Sequence, residues 1–489
     1  MRRLSLCLCL LLGPWLILTT SSGAEIRDPA DFEGVWSGKV IGPNTKAEIG
    51  LAFVPTAQGL LVSLHFPEMF LHRVNFGPAD VRDGTFTLPP LQLVLSLQND
   101  RHVGTFGLAK LPVAFDRGGS FAPEPVLDEP PLAPAPLWTR QLGAAVWASP
   151  ISYSGIVYVG SVDGRFHAMR AIDGSELWTW SGANPLYGAA LATDEHLYFV
   201  DDRAELVALD RATGQLAWRT PLHDSTLSAP PAVNETFNHR ATTPVIDTKG
   251  VLYVGSTDGG LYAVRAKTGK KLWRHPIGAG IHAPVALHGD DVIVAAFDGS
   301  VVAVNRRNQR ETMRVRLGGP LVSAPVVADN RIVIGARDYL LYGLEFSGAI
   351  AWRNTFWFSW VESTPRFADG TLYIGGSDFR RISALNPKDG ALRWATDVRG
   401  LSWGTPAVTS DTVFAATAGQ NIPGTVIQHT AGIAALDRTT GAWRWRYLPA
   451  TSPDADFTGY AGSLVMTEGL VIGASVSGEI VALPAGPSP

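Results

Sequence analysis

Almost nothing in this chain argues for helices, reactive thiols or a nucleic-acid partner. Its two cysteines, Cys7 and Cys9, both lie within residues 1–24. A chain that loses that segment can form no disulfide, thiolate metal site, covalent c-type haem link or cysteine nucleophile. Lys plus Arg number 40 against 44 Asp plus Glu, a formal net charge of −4, so no basic surface points to nucleic acid. Long amphipathic helical patterns are missing. So are a GxSxG elbow, an HExxH zinc helix and a phosphate-binding glycine loop. The 11 histidines do not cluster at ligand spacing.

Residues 1–24 read as a processing segment. Arg2 and Arg3 give a charged start, residues 4–18 are apolar, and Ser22, Gly23 and Ala24 supply small residues for cleavage. A retained anchor is the alternative, but the apolar run is short for a membrane span. No cysteine sits at the cleavage point, so a lipid-modified cysteine is not supported. The expectation is export, with a bacterial periplasm the fitting compartment.

What is abundant is turn chemistry: 51 glycines and 34 prolines. Residues 242–273, TTPVIDTKGVLYVGSTDGGLYAVRAKTGKKLW, read as one module of four short strands joined by tight turns. One such sheet cannot bury both faces alone, and the chain repeats it. Fourth-strand positions fall at Trp138, Trp178, Trp218, Trp273, Val315, Trp352, Trp394 and Trp445, which makes eight units. The fifth of these belongs to a degenerate copy, NRRNQRETMRV, lacking both the turn glycine and the Trp. The final copy ends one strand short, and the segment around Trp138 supplies the spare. The expected fold class is all-β: an eight-bladed β-propeller over 137–484, closed by pairing of its first and last strands. The repeated tryptophans are expected to fill the wedges between blades. Residues 30–118 carry a separate pattern of short alternating stretches, expected as a six- or seven-stranded antiparallel sheet or small barrel with Phe32 and Trp36 as core plugs. Its strands are too short to favour a cup for an apolar ligand. Residues 119–136 are a proline-rich linker.

The repeat resembles the pyrroloquinoline quinone (PQQ)-type propeller family, with VYVGSVDGRFHAM…DGSELW and LYVGSTDGGLYAV…TGKKLW as its clearest statements. The family includes quinoprotein dehydrogenases and the outer-membrane β-barrel assembly scaffold, so the resemblance implies the fold more than an activity. Its dehydrogenases typically carry adjacent cysteines against the quinone and a Glu, Asn and Asp set near calcium. The part of this chain beyond residue 24 has no cysteine, and that carboxylate set has no counterpart we can place.

Strand direction identifies a candidate face. With strands a to d running outward from the axis, the d-to-a and b-to-c connections share one rim. Both large insertions, after Trp218 and after Thr417, map to that rim, where binding residues usually collect. The rim is rich in aromatics. Tyr187, His239, Arg240, Trp357, Trp360 and Trp403 are the candidate ligand-binding residues. The four aromatics of FWFSW exceed what one wedge needs. His239 and Arg240 suit an acidic group. Asn234 and Glu235 offer two calcium-type oxygens, too few for a metal site. Asp163, Asp202, Asp258, Asp298, Asp338 and Asp378 recur at b-to-c turns, where Asp serves the backbone. Asp378 departs from the pattern and is a candidate partner of Arg380 or Arg381.

Three functions are compatible. The leading one is an exported, non-catalytic binding or scaffolding protein with exported or outer-membrane partners and no cofactor. The alternatives are a PQQ- and Ca²⁺-dependent oxidoreductase of alcohols or sugars, with Trp357, Trp360 or Trp403 beneath the quinone, and a glycan-binding module.

Overall fold

The computed structural model describes residues 32–42, 45–57, 59–78, 80–82, 85–88, 93–98, 101–107, 110–119, 129–223, 242–357, 359–377, 380–420, 429–449 and 457–486. They fall into two compact units, divided at Asp128 and Glu129. The expected leader lies outside the described residues, as do His239, Arg240, Asn234, Glu235, Phe358 and Asp378.

The first unit is one nine-stranded antiparallel sheet, two or three strands more than the pattern suggests. Its strands are β1 (Gly34–Gly42), β2 (Thr45–Thr56), β3 (Gly59–Phe66), β4 (Leu71–Pro78), β5 (Asp80–Arg82), β6 (Thr85–Leu88), β7 (Leu93–Gln98), β8 (Arg101–Phe106) and β9 (Leu111–Arg117). The order is β4-β3-β2-β1-β9-β8-β7-β6-β5, so the chain starts mid-sheet, runs out to one edge and returns from the other. The additional strands are β5, whose three residues alternate too briefly to read, and β9, the seven-residue run that ends the unit. The sheet curls into a half-barrel whose inner face is filled with rings. Phe32, Phe53, Phe86 and Phe115 are fully or nearly fully buried there. The Trp36 indole donates to the Phe32 carbonyl at 2.7 Å, which fixes the plug expected of this pair.

His102 lies in the same core, fully buried, with its ring 4.4 Å from Phe32 and 3.9 Å from Trp36. Neither ring nitrogen has a hydrogen-bond partner among the described residues. Burial, with Arg117 nearby, lowers its pKa from 6.5 to about 4.

The second unit is the eight-bladed propeller. Seven blades are built from strands consecutive in sequence. The eighth takes its outer strand, Trp138–Gln141, from the start of the unit, paired antiparallel to Glu479–Pro484. The last blade is closed by the first strand, as expected.

The wedge contact repeats around the ring. The Trp138, Trp178, Trp218, Trp352 and Trp394 indoles donate to the carbonyls of Ala171, Arg211, Ala266, Pro387 and Arg438 at 2.8–3.1 Å, each in the outer turn of the next blade. That turn passes flat against the indole: Gly390 has φ +70°, and a Cβ there would sit 2.6 Å from the Trp352 ring. Only glycine tolerates both demands. In the degenerate blade the equivalent residue is Met313, not Val315. It pairs with Ala303 as Trp273 pairs with Ala263, and it packs against the turn glycine Gly348. The one-residue register shift before this position is the same in blades 3 and 4, so Met313 stands where Trp273 does. Met fills the wedge because its flexible thioether adapts to the space.

The turn aspartates are structural. Asp163, Asp258 and Asp298 each accept an amide two residues onward. In blade 2 that work passes to Asp201, which accepts from Arg203 and Glu205, leaving Asp202 displaced toward the rim. The described end of the linker, residues 129–136, meets the propeller. Leu132 bridges in parallel to Arg446 on the outer edge of blade 7.

Trp352→Ala should cost about 3–5 kcal/mol, measured by urea unfolding, because it empties a closed wedge. The histidine sign follows from its lowered pKa. Between the unfolded value near 6.5 and about 4, the unfolded chain binds a proton that the folded chain refuses. Stability should therefore fall as pH drops from 6.5 to 4, by up to about 3 kcal/mol. Melts of His102→Leu across that range should lack this component.

Candidate functional site

Among the described residues, the loops entering blades 1, 2 and 4 are clamped twice at the rim, and those entering blades 5, 6 and 7 show at least one of the two contacts. The amides of Val146, Leu186, Ile281, Val361 and Ser402 donate to the preceding blade's b-to-c turn, at the carbonyls of Ser475, Ser161, Ser256, Ala336 and Gly376. One residue upstream in each loop, the carbonyls of Ala145, Pro185, Gly280 and Pro320 accept from the turn of the blade being entered. The residues that follow the first clamp are therefore held on a rigid collar. They are Trp147, Tyr187, His282, Glu362 and Trp403. Below them a hydroxyl belt joins neighbouring blades: the amides of Thr405, Ser463 and Ala324 donate to Ser463, Ser149 and Thr364 hydroxyls at 2.8–3.0 Å.

Two side-chain clusters result. The first joins blades 7, 8 and 1. Trp147 stacks on Trp403 at 6.4 Å, and Phe457 closes a triangle at 5.7 Å and 5.9 Å. The Trp403 indole donates to the Ser377 hydroxyl at 2.7 Å, which fixes the ring plane. All three aromatic residues keep part of their surface in solvent. Phe457 is there because strand b of blade 7, Thr412–Gln420, runs beyond the disc and pairs with a short strand, Phe457–Gly459. The other collar and turn residues of this sector, Ala461, Val162 and Val476, carry no charge.

The second cluster lies on blades 4 to 6. Arg337 donates to Glu362 at 2.6 Å and 2.7 Å, and both side chains are largely buried. The guanidinium lies 4.4 Å over Trp360 and 5.7 Å over Phe297, whose other neighbour is His282 at 4.9 Å. Burial pushes the Glu362 carboxyl above its ordinary range, with Arg337 opposing. Tyr187, on the far side of the ring, has its hydroxyl pKa raised by burial and then by Asp202.

The sequence candidates thus divide. Trp403 joins the aromatic triangle, Trp360 lies under Arg337, and Tyr187 stands apart beside Asp202. Trp357 is turned inward, 3% exposed, with φ +33°. Phe356 is fully buried and lies 5.4 Å from the Arg381 guanidinium. Two of the FWFSW aromatics are therefore packing. Arg380 pairs with Asp397 at 2.6 Å. Sequence reasoning missed Arg337 and Glu362. Aligning the repeats on their turns could have flagged both, since they put opposite charges at positions held elsewhere by residues such as Val162 and Trp147.

Among the described residues the donor set does not fit PQQ with calcium: no three His, Cys, Asp or Glu side chains converge as metal ligands. Arg337, a residue type suited to quinone carboxylates, is already paired with Glu362. No redox step is derived for this site.

A family model described as outer membrane protein assembly factor BamB matches residues 134–310, 257–357 and 345–486. The protein of that name from Escherichia coli (strain K12) is 22% identical over 336 residues, covering 57% of this chain and 85% of its own. The solved structure of BamB from Moraxella catarrhalis matches with TM-score 0.54 and 15% identity, over 72% of this chain and 97% of that one. Quinohemoprotein alcohol dehydrogenase from Comamonas testosteroni matches with TM-score 0.56 and 13% identity, over 73% and 77%. At those identities the two structures share the propeller fold with this chain and nothing finer.

Glu362→Ala should cost about 3–5 kcal/mol, because it takes the carboxylate away from a largely buried guanidinium. Replacing both, as Arg337→Met with Glu362→Leu, should recover most of the loss in chemical denaturation.

Proposed function

Since the chain belongs to the family described as outer membrane protein assembly factor BamB, we propose that it is an exported, non-catalytic scaffold. It works in the periplasm, peripheral to the outer membrane, and binds exported or outer-membrane proteins at its propeller mouth. The observation that carries this reading is the Trp147–Trp403–Phe457 triangle. Partly exposed aromatic anchors held on a rigid backbone are what protein interfaces use as energetic centres. The anchors lose little side-chain entropy on binding, because the collar and the Ser377 bond already hold Trp403. On the opposite sector Arg337 and Glu362 are paired with each other and form a polar rim.

The test is photo-crosslinking in a bacterial envelope. A photoreactive residue replacing Trp403 or Phe457 should trap a reproducible exported or outer-membrane protein. One at Lys270, in an outer turn on the other side of the disc, should not. Equal capture at both positions sinks the mouth as the binding face. Dye-linked alcohol oxidation after loading with PQQ and Ca²⁺ would sink the non-catalytic reading.

A further inference from the structure

The outer strands of blades 1 to 7 share a guard against edge pairing. Each ladder between strands c and d shifts by one residue just before the Trp position. Such a bulge interrupts the row of free backbone groups that an outside strand would need. Only a short regular stretch remains beyond it. In blade 7 that stretch is occupied. The Arg446 amide donates to the Pro131 carbonyl at 2.8 Å, and the Ala133 amide donates to the Arg446 carbonyl at 2.7 Å. The pairing is parallel.

The occupant is the chain's own segment of residues 129–133, EPPLA. Its anchor is Glu129, which takes Arg399 on one carboxylate oxygen and Arg446 on the other, each at 2.7 Å. Those two arginines are about four-fifths buried, whereas Glu129 is 69% exposed. Leu132 is 70% exposed. The site is therefore built into the blade, and the segment on it is held with little burial. Segments tied by a few exposed contacts open first.

We propose that the outer edge of blade 7 is an interaction edge kept closed by this strap, and that it takes an extended acidic segment of a partner protein in parallel with the outer strand. The partner segment places a carboxylate between Arg399 and Arg446 and offers a backbone carbonyl and amide on either side of Arg446, as residues 129–133 do. Charge complementarity selects the acidic class. A second copy is the weaker occupant, because its own strap is tethered to its own edge at high effective concentration. The edge is separate from the mouth, so this inference stands or falls independently of the proposed scaffold reading.

The test uses the full chain. In Glu129→Ala the Arg446 amide should exchange with deuterium at least tenfold faster than in the parent, while the amides pairing Trp138–Gln141 with Glu479–Pro484 stay unchanged. A fluorescein-labelled peptide of residues 129–136 should bind that variant at least tenfold tighter than the parent, and the same peptide with Glu129→Lys should lose the binding. Unchanged exchange at Arg446 overturns the strap. Faster exchange without peptide binding overturns the partner edge. A concentration-dependent dimer of the parent chain in light scattering, abolished by Glu129→Ala, overturns the partner in favour of a second copy.

Discussion

The structure depends on one repeated contact: in five blades an indole from the outer strand lies on the glycine turn of the next, and Met313 takes that place in the fourth blade. It joins sheets that share no backbone ladder. Trp352 illustrates its economy, since one side chain supplies the apolar wedge, a hydrogen bond to Pro387 and the steric demand for Gly390. Without it a blade exposes a face, and no single sheet of four short strands is stable with a face exposed. The ring then closes by backbone pairing between Trp138–Gln141 and Glu479–Pro484, which converts a linear array into a disc with no terminal edge.

That closure is what makes the rim a site. A collar residue such as Trp147 is positioned by an amide bonded to the last blade and a carbonyl bonded to its own, so its place is defined only once the ring is shut. The triangle of Trp147, Trp403 and Phe457 draws on three blades separated by more than half the chain. Rigid backbone beneath partly exposed rings is an arrangement suited to holding a partner. The paired charges of Arg337 and Glu362 serve another end, keeping a buried arginine neutralised beside its two aromatic faces.

The repeats were legible because each carries its own turn and wedge residues within about 40 positions. Seven tryptophans and one degenerate copy gave the eight blades and their closing strand. The count held, but the wedge residue was misplaced where the marker was replaced: Met313 keeps the wedge with a different side chain. The half-barrel was undercounted by β5, whose three residues are too few for alternation to register, and by β9, Leu111–Arg117, which closes the sheet just before the linker. Of the aromatic candidates, Trp403 and Trp360 keep part of their surface exposed on the connections the sequence pointed to. Trp357, chosen on the same grounds, is buried, because adjacent aromatics on one loop cannot all face outward.

Sequence by itself determined the repeat, its strand directions and hence which connections share a rim, because these follow from local turns and a two-residue side-chain period. Tertiary structure alone decided which rim side chains meet, which turn inward, and that Glu129 lies between Arg399 and Arg446. Those contacts join residues far apart in the chain, and their geometry is set by how closely one blade packs on the next.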